Sequence, residues 1–355
     1  MSIKKKPFGK LPNGQEVFSY SLKNKNGAKV KICEYGATVI SLKVPDRNGA
    51  FDDVVCGYSD LDSYINADGY QGAIIGRVGN RIGKASFVLD GKRYTLAKNN
   101  GNNSLHGGDN GFNAKIWKVE SLSETENSIE LSCVSEDMEE GYPGKLDVKV
   151  KYTFDDNNAL TIAYSATTDK KTIINLTNHT YFNLGGYASG RERLLAHTLY
   201  LDADTYIPTD NELIPTGEIL SVDSTALDFR KEKTVGKDFN VELPELKSAN
   251  GFDHCLNFIG GASDTPVLRA ILKDQRSGRV MRMYTDQPAV QFYSGNFLKN
   301  PKFPFKNGCP QTTQMALCLE AQKMPDSINH GNFTSTVLNT DEVYTQTTVY
   351  EFSAE

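Results

Sequence analysis

Short runs of alternating apolar and polar residues, separated by turn-forming pairs, make up most of this chain. Alternation at every second position is the period of a strand with one buried face, whereas a helix repeats every three to four residues. The turns are of the hairpin kind: Pro12-Asn13-Gly14, Asn26-Gly27, Asn48-Gly49, Asp90-Gly91, the run 155–158 and Ser277-Gly278. Asn-Gly and Asp-Gly tolerate the positive φ that tight hairpins demand. Residues 85–89 lead through such a turn into 93–96, and residues 145–154 lead into 159–166. Helical periodicity is confined to a short segment near 59–65, with Ser59 or Asp60 placed to cap it. Many short strands and few helices predict an all-β fold, an antiparallel sandwich or barrel. The 355 residues suffice for a large core. No Pro/Ser-rich linker, low-complexity tract or clear repeat divides them, so residues 1–355 are expected to form one domain.

Two runs break the simple apolar-in, polar-out rule. Read as a strand, residues 175–184 place Asn175, Thr177, His179, Tyr181 and Asn183 on one face. The other face, with Leu176, Asn178, Thr180, Phe182 and Leu184, is more apolar. A row of amide, hydroxyl, imidazole and phenol groups suits a ligand rich in hydroxyls, such as a sugar. A solvent-facing strand is the ordinary alternative, but Asn, His and Tyr at this density favour a site. In residues 314–322, Met315, Leu317, Leu319 and Ala321 share a core-like face, and Cys318, Glu320 and Gln322 share the other. A carboxylate beside Leu and Cys is expected to be partly buried, which raises its pKa and suits it to act as a base near neutral pH. A strand-edge glutamate in solvent stays open as the alternative.

Other segments are less specific. His106 precedes two glycines, which let a backbone approach a ligand or simply turn. The glycine-rich run 76–83 lacks the dinucleotide-binding spacing and no clear helix follows it. Its Arg77 and Arg81, with Asn80, read equally as structural ion-pair partners or as donors to ligand oxygens. Asp253 and Gln291 sit where strands run into loops and are candidate hydroxyl binders, though each alone reads as structural. His197, His254 and His330 have no metal-ligand spacing. The polar loops 98–103 and 299–308 are long enough to form the rim of a pocket.

Charge and cysteine usage narrow the field. A net charge of −5 argues against nucleic acid or an anionic membrane as partner. Six scattered cysteines without a C-x-x-C pair point to reduced thiols rather than disulfides or a zinc site. The basic first residues lead into Gly and Asn, not an apolar run, and no stretch approaches the ~20 apolar residues of a membrane helix. A cytoplasmic location is expected.

Taken together and in this order, segments 34–37, 76–82, 103–108, 139–144, 175–184, 252–254, 291–296, 319–322 and 325–330 resemble the aldose 1-epimerase (galactose mutarotase) family along nearly the whole chain. The resemblance implies a single large antiparallel β-sandwich of the galactose mutarotase type, with a sugar cleft across one sheet. It implies interconversion of the α and β anomers of free aldohexoses such as galactose and glucose. Glu320 matches the family's general base, His179 its general acid, and His106 a second imidazole near the reacting oxygens. Asn80, Arg81, Asp253 and Gln291 match its sugar-binding positions, and Tyr181 lies beside the acid. Such a reaction moves only protons, so no metal or cofactor is expected. The expected partner is a free aldose alone, bound by a monomer, with a dimer as the alternative. Ser135 and Met138 stand where similar proteins usually have Pro and Gly, and Ala321 and Ser294 where Thr is common. Three rival readings remain: a glycosidase using Asp253 and Glu320, a non-catalytic sugar-binding protein or sensor, and a phosphosugar epimerase. The first needs two carboxyl groups flanking one bond. The second has no use for a matched acid and base. The third needs a basic cluster that the sequence does not show.

Overall fold

A computed structural model describes residues 1–355, and antiparallel strands dominate it, as the alternation predicts. An N-terminal sheet takes Ser2–Lys10, Glu16–Lys23, Lys29–Cys33, Thr38–Pro45 and Phe51–Asp53 in sequence order. A nine-stranded sheet begins with Lys118–Ser123, Ser128–Ser135, Leu146–Phe154 and Ala159–Thr168. It continues through the C-terminal strand Tyr344–Ala354 to Arg279–Thr285, Val267–Lys273, Thr198–Leu201 and Lys233–Thr234. A third sheet orders Leu220–Ser221, Ala203–Ile207, Asp253–Phe258, Ala289–Tyr293 and Cys318–Gln322. One apolar cluster of 56 buried residues draws on all three, including Val30, Val150, Tyr350, Leu256, Phe292 and Leu319. The Tyr350 hydroxyl donates to the Leu319 carbonyl at 2.7 Å, tying the large sheet to the third. The layers therefore share one core, which is the sandwich arrangement.

Both hairpins form, as Ser86–Leu89 with Lys92–Thr95 and Leu146–Phe154 with Ala159–Thr168. The short helix spans Leu61–Asn66, and Asp60 is its cap, accepting from the Ser63 N–H at 2.9 Å. No helix is long and apolar enough to cross a membrane. The run 175–184 is a correction: it is not one strand with a wet face. Only Thr177–Asn178 is a strand, paired with Ile75 and Ile74, and both sides of the run are buried. The run's backbone bonds instead to segments 54–56, 72–79 and residue 317, and its side-chain amides satisfy the backbone of the neighbouring 315–323 segment, as buried backbone groups must find partners. Asn175 both donates to the Lys323 carbonyl (3.0 Å) and accepts from its N–H (2.9 Å). Asn183 donates to the Met315 carbonyl at 2.7 Å. The strand expected over 314–322 likewise begins only at Cys318, because Gln314 turns at φ +58°.

Register in the third sheet decides which residues face the site. Gln291 pairs with Glu320 and Cys255, and Tyr293 pairs with Cys318 and Asp253. Paired residues project to the same side of a sheet. One side therefore carries Asp253, Gln291, Tyr293, Cys318 and Glu320. The other carries Leu256, Val290, Phe292 and Leu319, all in the shared core. His254 belongs to that second side, which removes it from the chemistry.

Arg77 is structural. Its buried guanidinium donates to the carbonyls of Pro143, Gly144, Ser135 and Glu136, to the Thr172 hydroxyl and to Ser135 Oγ (2.7 Å), pinning the 135–144 loop. In that loop Met138 sits at φ +66° with a half-exposed side chain. A left-handed residue with a Cβ costs about 1–2 kcal/mol, and glycine's extra unfolded-state entropy costs about 0.5–1 kcal/mol. Met138→Gly is therefore expected to raise unfolding free energy by about 0.5–1 kcal/mol, read by denaturant titration with activity unchanged. A loss of stability would show that the Met138 side chain contributes packing that outweighs the strain.

Candidate functional site

A cleft of about 530 Å³ opens above the polar side of the third sheet. Asn80, Arg81, His106, His179, Tyr181, Asp253 and Glu320 all line it. The loop residues Asn99, Asn100, Lys299 and Asn300 contribute to its walls, as loop length suggests. Gln291 lies behind Asp253, to whose Oδ1 its Nε2 donates at 2.6 Å. Asn175, Thr177 and Asn183, expected on the same polar face as His179, do not reach the cleft, being spent on backbone partners or burial.

His179 and Glu320 form the floor. His179 Nε2 stands 3.7 Å from Glu320 Oε1, and both side chains are at least nine-tenths buried. That distance is too long for a direct hydrogen bond. Glu320 Oε2 has no partner, and neither has Gln291 Oε1 across the strand pair. Unpaired buried acceptors are costly and call for a donor from a ligand or water. Burial pushes the Glu320 carboxyl well above the usual carboxylate range; the nearby Asp253 charge adds to this, and Arg81 opposes it. Burial also pushes His179 down to about 4. Burial thus disfavours the charged form of each group, and the pair it favours is the one in which both are neutral.

Neighbouring rings hold the imidazole. His179 stacks on Tyr181 (centroids 4.9 Å apart, 27° between planes) and meets Tyr70, Tyr293 and His106. The Tyr181 hydroxyl donates to the Gly69 carbonyl at 2.8 Å, so this ring is a wall rather than a ligand donor. Cys318 Sγ lies 3.4 Å from His179 Nδ1. His106 Nδ1 accepts from the Asn80 N–H at 3.1 Å, which leaves the proton on Nε2. Burial drives His106 well below its ordinary pKa, with His179 and Arg81 adding to the effect, so it is a neutral donor.

The far wall is charged. Arg81 Nη1 lies 3.9 Å from Asp253 Oδ2, and its Nε donates to Asn100 Oδ1 at 3.1 Å. Asn80 gives its side-chain carbonyl to the Arg81 N–H (2.8 Å), leaving its amide NH2 to donate. The cleft therefore offers donors and acceptors in alternation around one acid–base pair, which is what a ring of hydroxyls requires. Sequence reasoning missed Tyr70 and Tyr293: nothing in a loop tyrosine or a strand-end tyrosine marks a site. Of the remaining histidines, His197 Nε2 accepts from the Leu184 N–H (2.9 Å) and His330 lies beside Asp326 (3.3 Å), both structural contacts.

Comparison with known proteins identifies the family over nearly the whole chain. The sequence model of the family described as aldose 1-epimerase matches residues 19–351. Galactose mutarotase of Bos taurus is 43% identical over 353 residues, covering 99% of both chains. Aldose 1-epimerase of Escherichia coli is 33% identical over 346 residues, covering 97% of both. Among solved structures, galactose 1-epimerase from Lactobacillus acidophilus superposes with a TM-score of 0.85 at 26% identity, covering 99% of both chains. An aldose epimerase homologue from C. elegans gives 0.83 at 31%, covering 94% of this chain and 98% of its own.

Proposed function

The chain belongs to the aldose 1-epimerase family, and from that premise we propose that it is a mutarotase opening and reclosing free aldohexoses such as galactose between Glu320 and His179. The observation that carries the assignment of roles is the unpartnered, buried Glu320 carboxyl facing His179 across a gap too wide for a hydrogen bond. The C1 hydroxyl and the ring oxygen of a pyranose are neighbours, so one sugar edge can engage both groups.

In the working state the shared proton sits on His179 and Glu320 is a carboxylate. Hydroxyl dipoles of the bound sugar, with Arg81, favour this charged form over the neutral one that burial alone prefers. Glu320 then takes the C1 hydroxyl proton, the C1–O5 bond breaks, and His179 protonates the ring oxygen, giving the open aldehyde. Rotation about C1–C2 presents the other carbonyl face, and both proton transfers run in reverse on closure. The neutral Nε2–H of His106 donates to an oxygen at the reacting edge. Arg81, Asp253 and Asn80 hold the other hydroxyls, with Gln291 bracing Asp253, and so keep the reacting atoms aligned. Proton transfer accounts for every step, so the proposal includes no cofactor. The chain is taken to act as one unit and as a monomer, for which size-exclusion chromatography is the check. Its six free thiols, five of them buried, favour a reducing, cytoplasmic setting, which cell fractionation would test.

The assay that tests the activity is polarimetric decay of α-D-galactose with and without the protein; an unchanged rate would refute it. Two further outcomes follow. Asp253→Asn keeps the shape but removes a charge-assisted contact worth about 1.5–3 kcal/mol, so KM for galactose is expected to rise about 10- to 100-fold with a smaller change in kcat. An unaltered KM would take Asp253 out of sugar binding. The pH profile carries the second. The active free enzyme holds one proton on the pair, so kcat/KM should fall in acid as a second proton binds near pH 4, where His179 titrates. It should fall again in alkali as the proton leaves the raised Glu320. An alkaline limb that persists in Glu320→Gln would assign that titration to another group.

A further inference from the structure

Cys318 has no part in the proton transfers, yet its thiol is buried on the same sheet face as Glu320, against the imidazole of His179. One ligand atom from each of these three side chains lies within 4.8 Å of the other two. Resting on the mutarotase reading above, we propose that His179, Cys318 and Glu320 form a reversible inhibitory site for a borderline-soft divalent cation such as Zn2+.

The donor chemistry selects the ion. Zn2+ takes nitrogen, thiolate sulfur and carboxylate oxygen at about 2.0–2.3 Å, which spaces tetrahedral donors about 3.3–3.8 Å apart. His179 Nδ1 to Cys318 Sγ is already 3.4 Å, and His179 Nε2 to Glu320 Oε1 is 3.7 Å. The two contacts use opposite ring nitrogens, but one nitrogen already lies within 4.8 Å of both a sulfur and a carboxylate donor, so closing the three side chains by about 1 Å reaches tetrahedral spacing. Glu320 Oε2, buried and without a partner, is the second indication of a ligand position. Three protein donors leave the fourth position open to water, the arrangement of non-structural zinc sites. Mg2+ and Ca2+ prefer all-oxygen shells and do not match this set. On binding, the S–H bond of Cys318 and the carboxyl O–H bond of Glu320 break, the S–Zn and O–Zn bonds form, His179 ligates as the neutral imidazole, and both protons pass to solvent. The ion ties up both the base and the acid, so it competes with sugar.

Sequence spacing hides this constellation, because 139 residues separate His179 from Cys318. Two readouts test it. Zn2+ should inhibit galactose anomerisation, raising KM at constant kcat, with EDTA restoring the rate and Mg2+ inert. Sensitivity, measured against each variant's own uninhibited rate, should fall about 100-fold in Cys318→Ala and stay unchanged in Cys309→Ser, the half-exposed thiol. Independently of activity, Co2+ should give a thiolate-to-metal charge-transfer band in the wild type and none in Cys318→Ala. Absence of the band, or inhibition that Cys318→Ala leaves intact, overturns the metal site. The Cys318-dependent band without inhibition would support the site and instead sink the assignment of these groups to catalysis.

Discussion

Glu320→Gln is expected to fold normally and to lose about 10²–10⁴-fold in kcat, the span that a positioned general base contributes. The amide matches the carboxylate in shape, so the packing between Leu319 and Ala321 is undisturbed. It cannot take a proton from the C1 hydroxyl. The buried carboxyl has an oxygen without a partner, and burial disfavours its charged form. Replacing it with a neutral amide is therefore not expected to destabilise the fold, and the thermal midpoint should hold or rise. Polarimetric turnover alongside a melting curve reads both effects. Wild-type turnover in this variant would eliminate Glu320 as the base. A collapsed melting curve would recast it as a structural residue.

His179→Asn is expected to abolish catalysis while leaving galactose affinity within about an order of magnitude, because hydroxyl recognition is assigned in the proposal to Arg81, Asp253 and Asn80. The asparagine has no group that gains and releases a proton in this pH range. The variant also loses the stack on Tyr181, 4.9 Å between centroids, so a modest drop in stability accompanies it. Calorimetric titration with galactose separates the two effects. Complete loss of binding in a folded variant would mean that His179 positions the sugar and that the acid lies elsewhere.

Local pattern reached the strands and stopped short of the site. The hairpins at 86–95 and 146–168 follow from alternation and turn chemistry that act within a few residues. The row from Asn175 to Asn183 looked like one polar face because the residue types alternate. Folding splits it, sending His179 and Tyr181 to the cleft while Asn175 and Asn183 satisfy the backbone of the 315–323 segment. No local rule distinguishes those two fates, since they depend on what passes alongside. The pairing of Gln291 with Glu320, the convergence of Cys318 on His179 and the closing of Tyr70 against His106 are long-range events in the same sense. Resemblance to a family singled out His179 and Glu320 as the proposed acid and base. The register of the third sheet explains physically why Asp253 faces the cleft with Glu320 and His254 faces the core.

Catalysis as proposed requires one sugar edge to lie between two groups far apart in the chain, and a crystal structure of Glu320→Gln soaked with galactose tests this directly. The expected density shows a single pyranose at the cleft floor, its C1 hydroxyl within hydrogen-bond distance of the residue 320 amide and its ring oxygen facing His179. A sugar bound away from both groups, or one turning its C3–C4 edge to them, would contradict the account.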